Sequence, residues 1–157
     1  MKIKFVVIGK TVEKYLIDAC NEYEKRIKKY VRFEYIVLKD LKNISALTFD
    51  QVKEQEAKLL EPYMNENSFK IILDEHGQVY TSKDFSDFLE KKIANLSKDI
   101  TFVVGGPYGF APKVVLKADG KISLSKMTFS HQMVRLIFLE QLYRAFTIMH
   151  NEPYHHE

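Results

Sequence analysis

The run Thr101-Phe102-Val103-Val104-Gly105-Gly106-Pro107-Tyr108-Gly109-Phe110, followed after a short link by Ile122-Ser123-Leu124-Ser125-Lys126-Met127-Thr128-Phe129-Ser130, decides how this chain is read. A short apolar run that ends in glycines predicts a buried strand whose chain turns sharply at its carboxyl end. Glycine there accepts positive φ and lets a ligand approach the backbone closely. In an open α/β sheet, ligands bind beyond the carboxyl ends of the strands. The strand ends at Val104 and Leu124 are therefore expected to border one crevice, and the chemistry is placed there.

Around this stretch, strand and helix patterns alternate. Strands are predicted at Lys2–Ile8, Arg32–Leu38 (Phe33, Tyr35 and Val37 on one face), Phe69–Leu73, Ile100–Val104 and Ile122–Leu124. An amphipathic helix is predicted from Val12 to Tyr30, with Val12, Tyr15, Leu16, Ala19, Cys20, Tyr23, Ile27 and Tyr30 spaced by threes and fours. Lys39–Asp50 reads as a loop, Gln51–Tyr63 as a helix with a Thr48–Gln51 capping box, and Asp74–Gly77 as a turn. Further helices are expected over Ser82–Leu96, Pro112–Ala118 and His131–Met149. Alternation of this kind implies an α/β fold, a mostly parallel five- to six-stranded sheet with helices on both faces. The last helix is apolar nearly all round, which favours burial on several sides; a subunit interface as its second partner and deep core alone both fit, the interface better.

The 157 residues fit one domain, with 46% hydrophobic and 29% charged residues. No apolar run approaches the ~20 residues that span a bilayer, and the opening strand is too short and charged for a signal peptide. The lone cysteine, Cys20, excludes an intrachain disulfide, fits a reducing cytoplasm, and falls on an apolar helix face as core. The net charge of +3 permits an RNA partner without demonstrating one. Lys25, Arg26, Lys28 and Lys29 read either as a solvated helix end or as phosphate contacts.

The glycine loop is neither a Rossmann G-x-G-x-x-G nor a Walker A sequence, which counts against NAD and ATP. Taken alone, it is equally a tight turn or a ligand cradle. His131 follows Ser130, a candidate N-cap, so it is expected in the first helical turn, where the dipole disfavours imidazolium; a neutral acceptor and a purely structural histidine both fit. The tail Pro153-Tyr154-His155-His156-Glu157 is a poor metal signature; a purification remnant, or a tail docking beside a partner subunit's pocket, are the other readings.

Taken in order, several of these motifs together resemble the RlmH family of SPOUT-class methyltransferases. They are Ile3–Gly9, Glu22-Tyr23-Glu24-Lys25-Arg26, Val103–Gly109, Leu124–His131, Glu140-Gln141-Leu142-Tyr143-Arg144-Ala145 and the terminal Pro153-Tyr154-His155. The resemblance covers essentially the whole chain. It implies a single methyltransferase domain over residues 1–157 with a deep trefoil knot at about 100–157, which periodicity does not reveal, and a cytoplasmic homodimer. It further implies S-adenosylmethionine as methyl donor, no metal and no membrane, and as target N3 of a pseudouridine in 23S rRNA within the ribosome. The cofactor site would comprise Leu73, Gly105, Gly106, Gly109 and the run Leu124, Ser125, Lys126, Met127, Thr128, Phe129; His131, Arg144, Tyr154, His155 and His156 would face the RNA. His155 and His131 are both candidates for the general base. One departure is His156, where relatives often carry Arg or Lys; histidine is largely neutral at pH 7. The rival from another class is a non-catalytic ribosome-binding module that keeps the fold.

Overall fold

The computed structural model describes residues 1–156. Its five strands are β1 (Lys2–Ile8), β2 (Arg32–Leu38), β3 (Ser68–Val79), β4 (Asp99–Val104) and β5 (Gly120–Ser123), all parallel, in the order β2-β1-β4-β3-β5. Successive side chains leave a strand on opposite faces, so both faces must be covered when both are apolar. Ile3, Phe5 and Val7, with Ile71, Phe102 and Ile122, pack beneath α1 (Lys14–Ile27), α3 (Ser82–Asn95) and α5 (Met133–Met149). Val6, Ile8, Ile72 and Val103 pack beneath α2 (Phe49–Met64) and α4 (Pro112–Lys117). At the centre of the first layer, the Phe138 ring lies 4.4 Å from that of Phe5 and 4.7 Å from that of Phe102, all three removed from water. Burying each such ring stabilises the fold by roughly 1.5–3 kcal/mol.

Local chemistry sets the boundaries. The capping box forms as expected: Gln51 N donates to Thr48 Oγ1 at 3.1 Å and Thr48 N to Gln51 Oε1 at 2.9 Å. It starts α2 at Phe49, inside the predicted loop, whose remainder holds one 3-10 turn at Ile44–Ala46. Helix α1 begins two residues later than predicted, because the Val12 amide donates to Gln132 Oε1 at 2.9 Å instead of entering a helix. Val12 and Tyr15 stay 65% and 64% exposed, while Leu16, Cys20 and Ile27 are buried. Val37 is exposed too, since β2 is an edge strand. The predicted turn at Asp74–Gly77 is an excursion within a longer β3: Ile122 pairs with Leu73 before it and with Gln78 after it.

Gln132 and Arg135 tie the start of α5 to the end of β1. Gln132 Nε2 donates to the Lys10 carbonyl at 3.2 Å. The Arg135 guanidinium, 1% exposed, donates to the carbonyls of Ile8 (2.7 Å) and Gly9 (2.6 Å) and to Thr11 Oγ1 (3.0 Å). Given the strand order, residues 124–132 must cross the carboxyl ends of β3 and β4 to reach β1 from β5.

Candidate active site

The carboxyl ends of β3, β4 and β5 open into a cavity of about 450 Å³, within the size range of small-molecule sites. Val104 and Leu124 both reach it, although β3 separates their strands and contributes Leu73 between them. Of the ten residues expected around a cofactor, Leu73, Gly105, Gly106, Gly109, Leu124, Ser125, Met127, Thr128 and Phe129 line it. Lys126 is exposed and outside the lining. Ser125 shapes the run locally: its Oγ accepts from the Met127 amide at 2.9 Å and its carbonyl from Ser123 Oγ at 2.8 Å. That turn leaves the long basic side chain between two lining residues turned to solvent.

The glycine loop is a reverse turn. Gly109 N donates to the Gly106 carbonyl at 3.2 Å, with Pro107 at the second position and Gly109 at φ +84°. The opposite wall is the β3 excursion, where the His76 amide donates to Asp74 Oδ1 at 2.8 Å. Gly77 closes that excursion against β5; a Cβ there would fall 2.7 Å from the Ile122 backbone.

Behind the glycine loop stands a residue that the sequence did not single out. Glu56 of α2 is 6% exposed, and its carboxylate fills the space that a side chain at Gly106 would take, an added Cβ running into Oε2. Burial pushes this carboxyl up to about 7, opposed by a hydrogen bond from the Gly106 amide. A glutamate inside an otherwise charged helix gives no sequence signal of burial; only the Val52–Glu56–Leu60 spacing places it on the inward face.

His131 lies on the rim of the cavity, in a turn before α5 rather than in its first helical turn. Ser130 nevertheless does the work of a cap: its Oγ accepts from Met133 N at 3.1 Å and its carbonyl from Val134 N at 3.0 Å. Burial and the nearby Arg135 guanidinium hold the His131 imidazole below the ordinary histidine value, with Asp40 opposing. It is a neutral acceptor at pH 7.

Arg144, Tyr154 and His155 gather elsewhere. Thirteen residues of α5 and its leading turn separate Arg144 from His131, roughly 20 Å at 1.5 Å per helical residue. Their organiser is Glu140, which the sequence placed in a motif without a role. Its Oε1 accepts from Arg144 Nη2 at 2.6 Å and Nε at 3.1 Å and from the Tyr154 hydroxyl at 3.1 Å. Glu140 in turn holds the Arg144 guanidinium firmly charged. Burial, then the Tyr23 and Glu140 contacts, push the Tyr154 phenol upward, so it stays protonated. Arg144 Nη1 sits 3.1 Å from His155 Nδ1. A guanidinium only donates, so Nδ1 is the acceptor in this contact. His156 is exposed. Among the described residues, no group of three or more His, Cys, Asp or Glu could hold a metal ion, and no helix is long and apolar enough to cross a membrane.

The chain that builds this parallel α/β sheet and glycine-walled cavity matches the family described as "Predicted SPOUT methyltransferase" over residues 1–155. The chain is 52% identical over all 157 residues, and over the relative's full length, to the ribosomal RNA large subunit methyltransferase H of Parabacteroides distasonis. It is 49% identical, again over the full length of both, to the protein of that name from Phocaeicola vulgatus. Among solved structures, a probable methylase family protein from Haemophilus influenzae shares the fold with a TM-score of 0.54 at 14% identity, covering 99% of this chain and 70% of that one. The chain belongs to the SPOUT methyltransferases, and within them to the RlmH family whose motifs it carries.

Proposed function

We propose that this chain transfers a methyl group from S-adenosylmethionine to N3 of a pseudouridine in 23S rRNA on the assembled ribosome. We read residues 1–157 as one cytoplasmic domain, knotted at about 100–157, acting as a homodimer. The observation that carries the reading is the cavity at the three strand ends, walled by Gly105, Gly106 and Gly109 and closed by Leu124–Phe129. The relatives' shared name, ribosomal RNA large subunit methyltransferase, supports the choice of substrate. The return of residues 124–132 across two strand ends fits a knotted path.

The residues present fit the cofactor. Leu73, Leu124, Phe129 and Val134 offer apolar wall for an adenine and its ribose, and the glycine backbones offer amides and carbonyls without side chains in the way. When bound, S-adenosylmethionine supplies a methyl group on a positive sulfonium, a leaving arrangement that requires no metal. The chain's part is then to orient the acceptor and take its proton. His131, at the cavity and neutral, is the group suited to accept the imide proton at N3. His155, whose Nδ1 lies 3.1 Å from Arg144 Nη1, belongs in this reading to the RNA-facing cluster. Arg144 and Tyr154 bind phosphate or base from the same cluster.

Within one subunit, that cluster is too far from the cavity to act on the same nucleotide. A two-fold dimer that lays one subunit's tail beside its partner's cavity unites the two halves. Labelled methyl transfer tests the function: ribosomes from a strain lacking the gene are expected to accept label, and ribosomes lacking the pseudouridine are not. Equal labelling of both, or of neither, contradicts the assignment.

A further inference from the structure

Glu56 is the buried carboxylate that the reaction above does not use. It lies in α2, on the far side of the sheet from α5, yet its carboxylate abuts Gly106, which lines the cavity. One of its oxygens, Oε1, has no hydrogen-bond partner although it is buried. The same face of α2 grips the loop a second time. Phe49, seven residues and two turns earlier, stacks on Tyr108 with ring centroids 4.0 Å apart and planes 18° from parallel. The glycine loop therefore rests on α2 at two points, one aromatic and one anionic.

We propose that Glu56 is a positioning residue for the cofactor, its carboxylate holding the Gly106 peptide from behind and supplying a buried negative charge behind the glycine wall. This rests on the reading of the cavity as an S-adenosylmethionine site. A carboxyl that burial holds near neutrality at pH 7 ionises more readily when a cation occupies the adjoining cavity. By linkage, the cationic cofactor then binds more tightly as pH rises through 7, whereas its uncharged thioether product gains far less. Glu56 thereby favours the reactant over the spent cofactor.

Asp74, Glu75 and His76 of the β3 excursion face the same cavity, with Glu75 Oε1 3.4 Å from His76 Nε2. On α2, Lys53 pairs with Asp50 at 3.4 Å, and Glu54 pairs with Lys113 of α4 at 2.9 Å. Burial raises the Glu56 carboxyl and the Gly106 amide opposes it. Across the cavity, His131 titrates below the ordinary histidine range and adds its own dependence, with Arg135 beside it. The comparison between wild type and Glu56→Gln removes these contributions, because none of those residues changes.

Isothermal titration of the full chain with S-adenosylmethionine and with the thioether product, at pH 8 and pH 6, tests the proposal. If binding lowers the proton affinity of Glu56 about tenfold, the wild type is expected to lose about fivefold more affinity for the sulfonium than Glu56→Gln does between those pH values. The thioether is expected to show no such difference between the two proteins. The same loss in both proteins, or equal differences for sulfonium and thioether, overturns the proposal while leaving the cofactor assignment intact. A wild type that binds no S-adenosylmethionine at pH 8 overturns the assignment and the proposal with it. A second measurement uses Gly106→Ala, whose new Cβ meets the Glu56 carboxylate. It is expected to weaken binding about tenfold or more, and the double variant with Glu56→Ala to bind no worse than Glu56→Ala alone. Additive losses contradict the contact.

Discussion

A carboxyl group taken out of water resists ionising, and Glu56 sets that resistance against the needs of the cavity beside it. Its value in the fold, about 7, lies above the 4.5 of the free group. The folded state therefore holds the proton more tightly than the unfolded chain does. Stability from this source is complete below pH 4.5 and is lost as pH rises through 7. Replacing Glu56 with Gln removes the penalty: the variant is expected to be more stable than wild type by about 3 kcal/mol at pH 8 and of similar stability at pH 4. Denaturant titrations at the two pH values check this, and a variant less stable at pH 8 contradicts it. A site residue that costs stability is a familiar compromise. Single residues were legible where chemistry is local. Thr48 and Gln51 announced their capping box, and Cys20 its burial. Glu56 and Glu140 were not, because their partners, Gly106 and Tyr154, come from other parts of the chain.

At the scale of elements, α5 carries the most consequence. Its inward side chains, from Phe138 to Phe146, join the core with α1 and α3. Met133, Ile137 and Ile148 are half-buried apolar residues outside that core. At 100° per residue they fall on one stripe, with Arg144 between them. This stripe is the part of the helix's apolar excess that the subunit's own core does not absorb, and it sets the tail cluster beside the proposed interface. Ile137→Lys together with Ile148→Lys is expected to weaken dimerisation at least tenfold while α5 keeps its core contacts. Sedimentation velocity reads the outcome; an unchanged dimer, or a wild-type monomer, contradicts the placement. The elements themselves were largely visible as apolar runs and threefold–fourfold spacing. Errors arose where side chains from afar intervened. Gln132 takes the Val12 amide and shortens α1, and Ile122 pairs twice with β3 across an excursion that reads as a plain turn.

At the scale of the whole molecule, the candidate site residues fall at two ends of α5. His131 faces the cavity, while Arg144, Tyr154 and His155 surround Glu140 roughly 20 Å away. Sequence motifs placed both sets in one functional list but could not show that a single subunit keeps them apart, because that separation is a property of the folded helix. A two-fold dimer would bring each tail to the partner's cavity, forming two equivalent sites from four half-sites. A net charge of only +3 over 157 residues offers little long-range attraction for RNA, so the ribosome itself is expected to supply much of the docking surface. The composite site is tested most directly by mixing two inactive variants, His131→Ala and the pair Tyr154→Ala with His155→Ala, under conditions where subunits exchange, and measuring methyl transfer to ribosomes. Each mixed dimer would contain one intact site, so the mixture is predicted to regain roughly a quarter of wild-type activity from half of its dimers. A mixture no more active than its separate components would contradict a site shared between subunits.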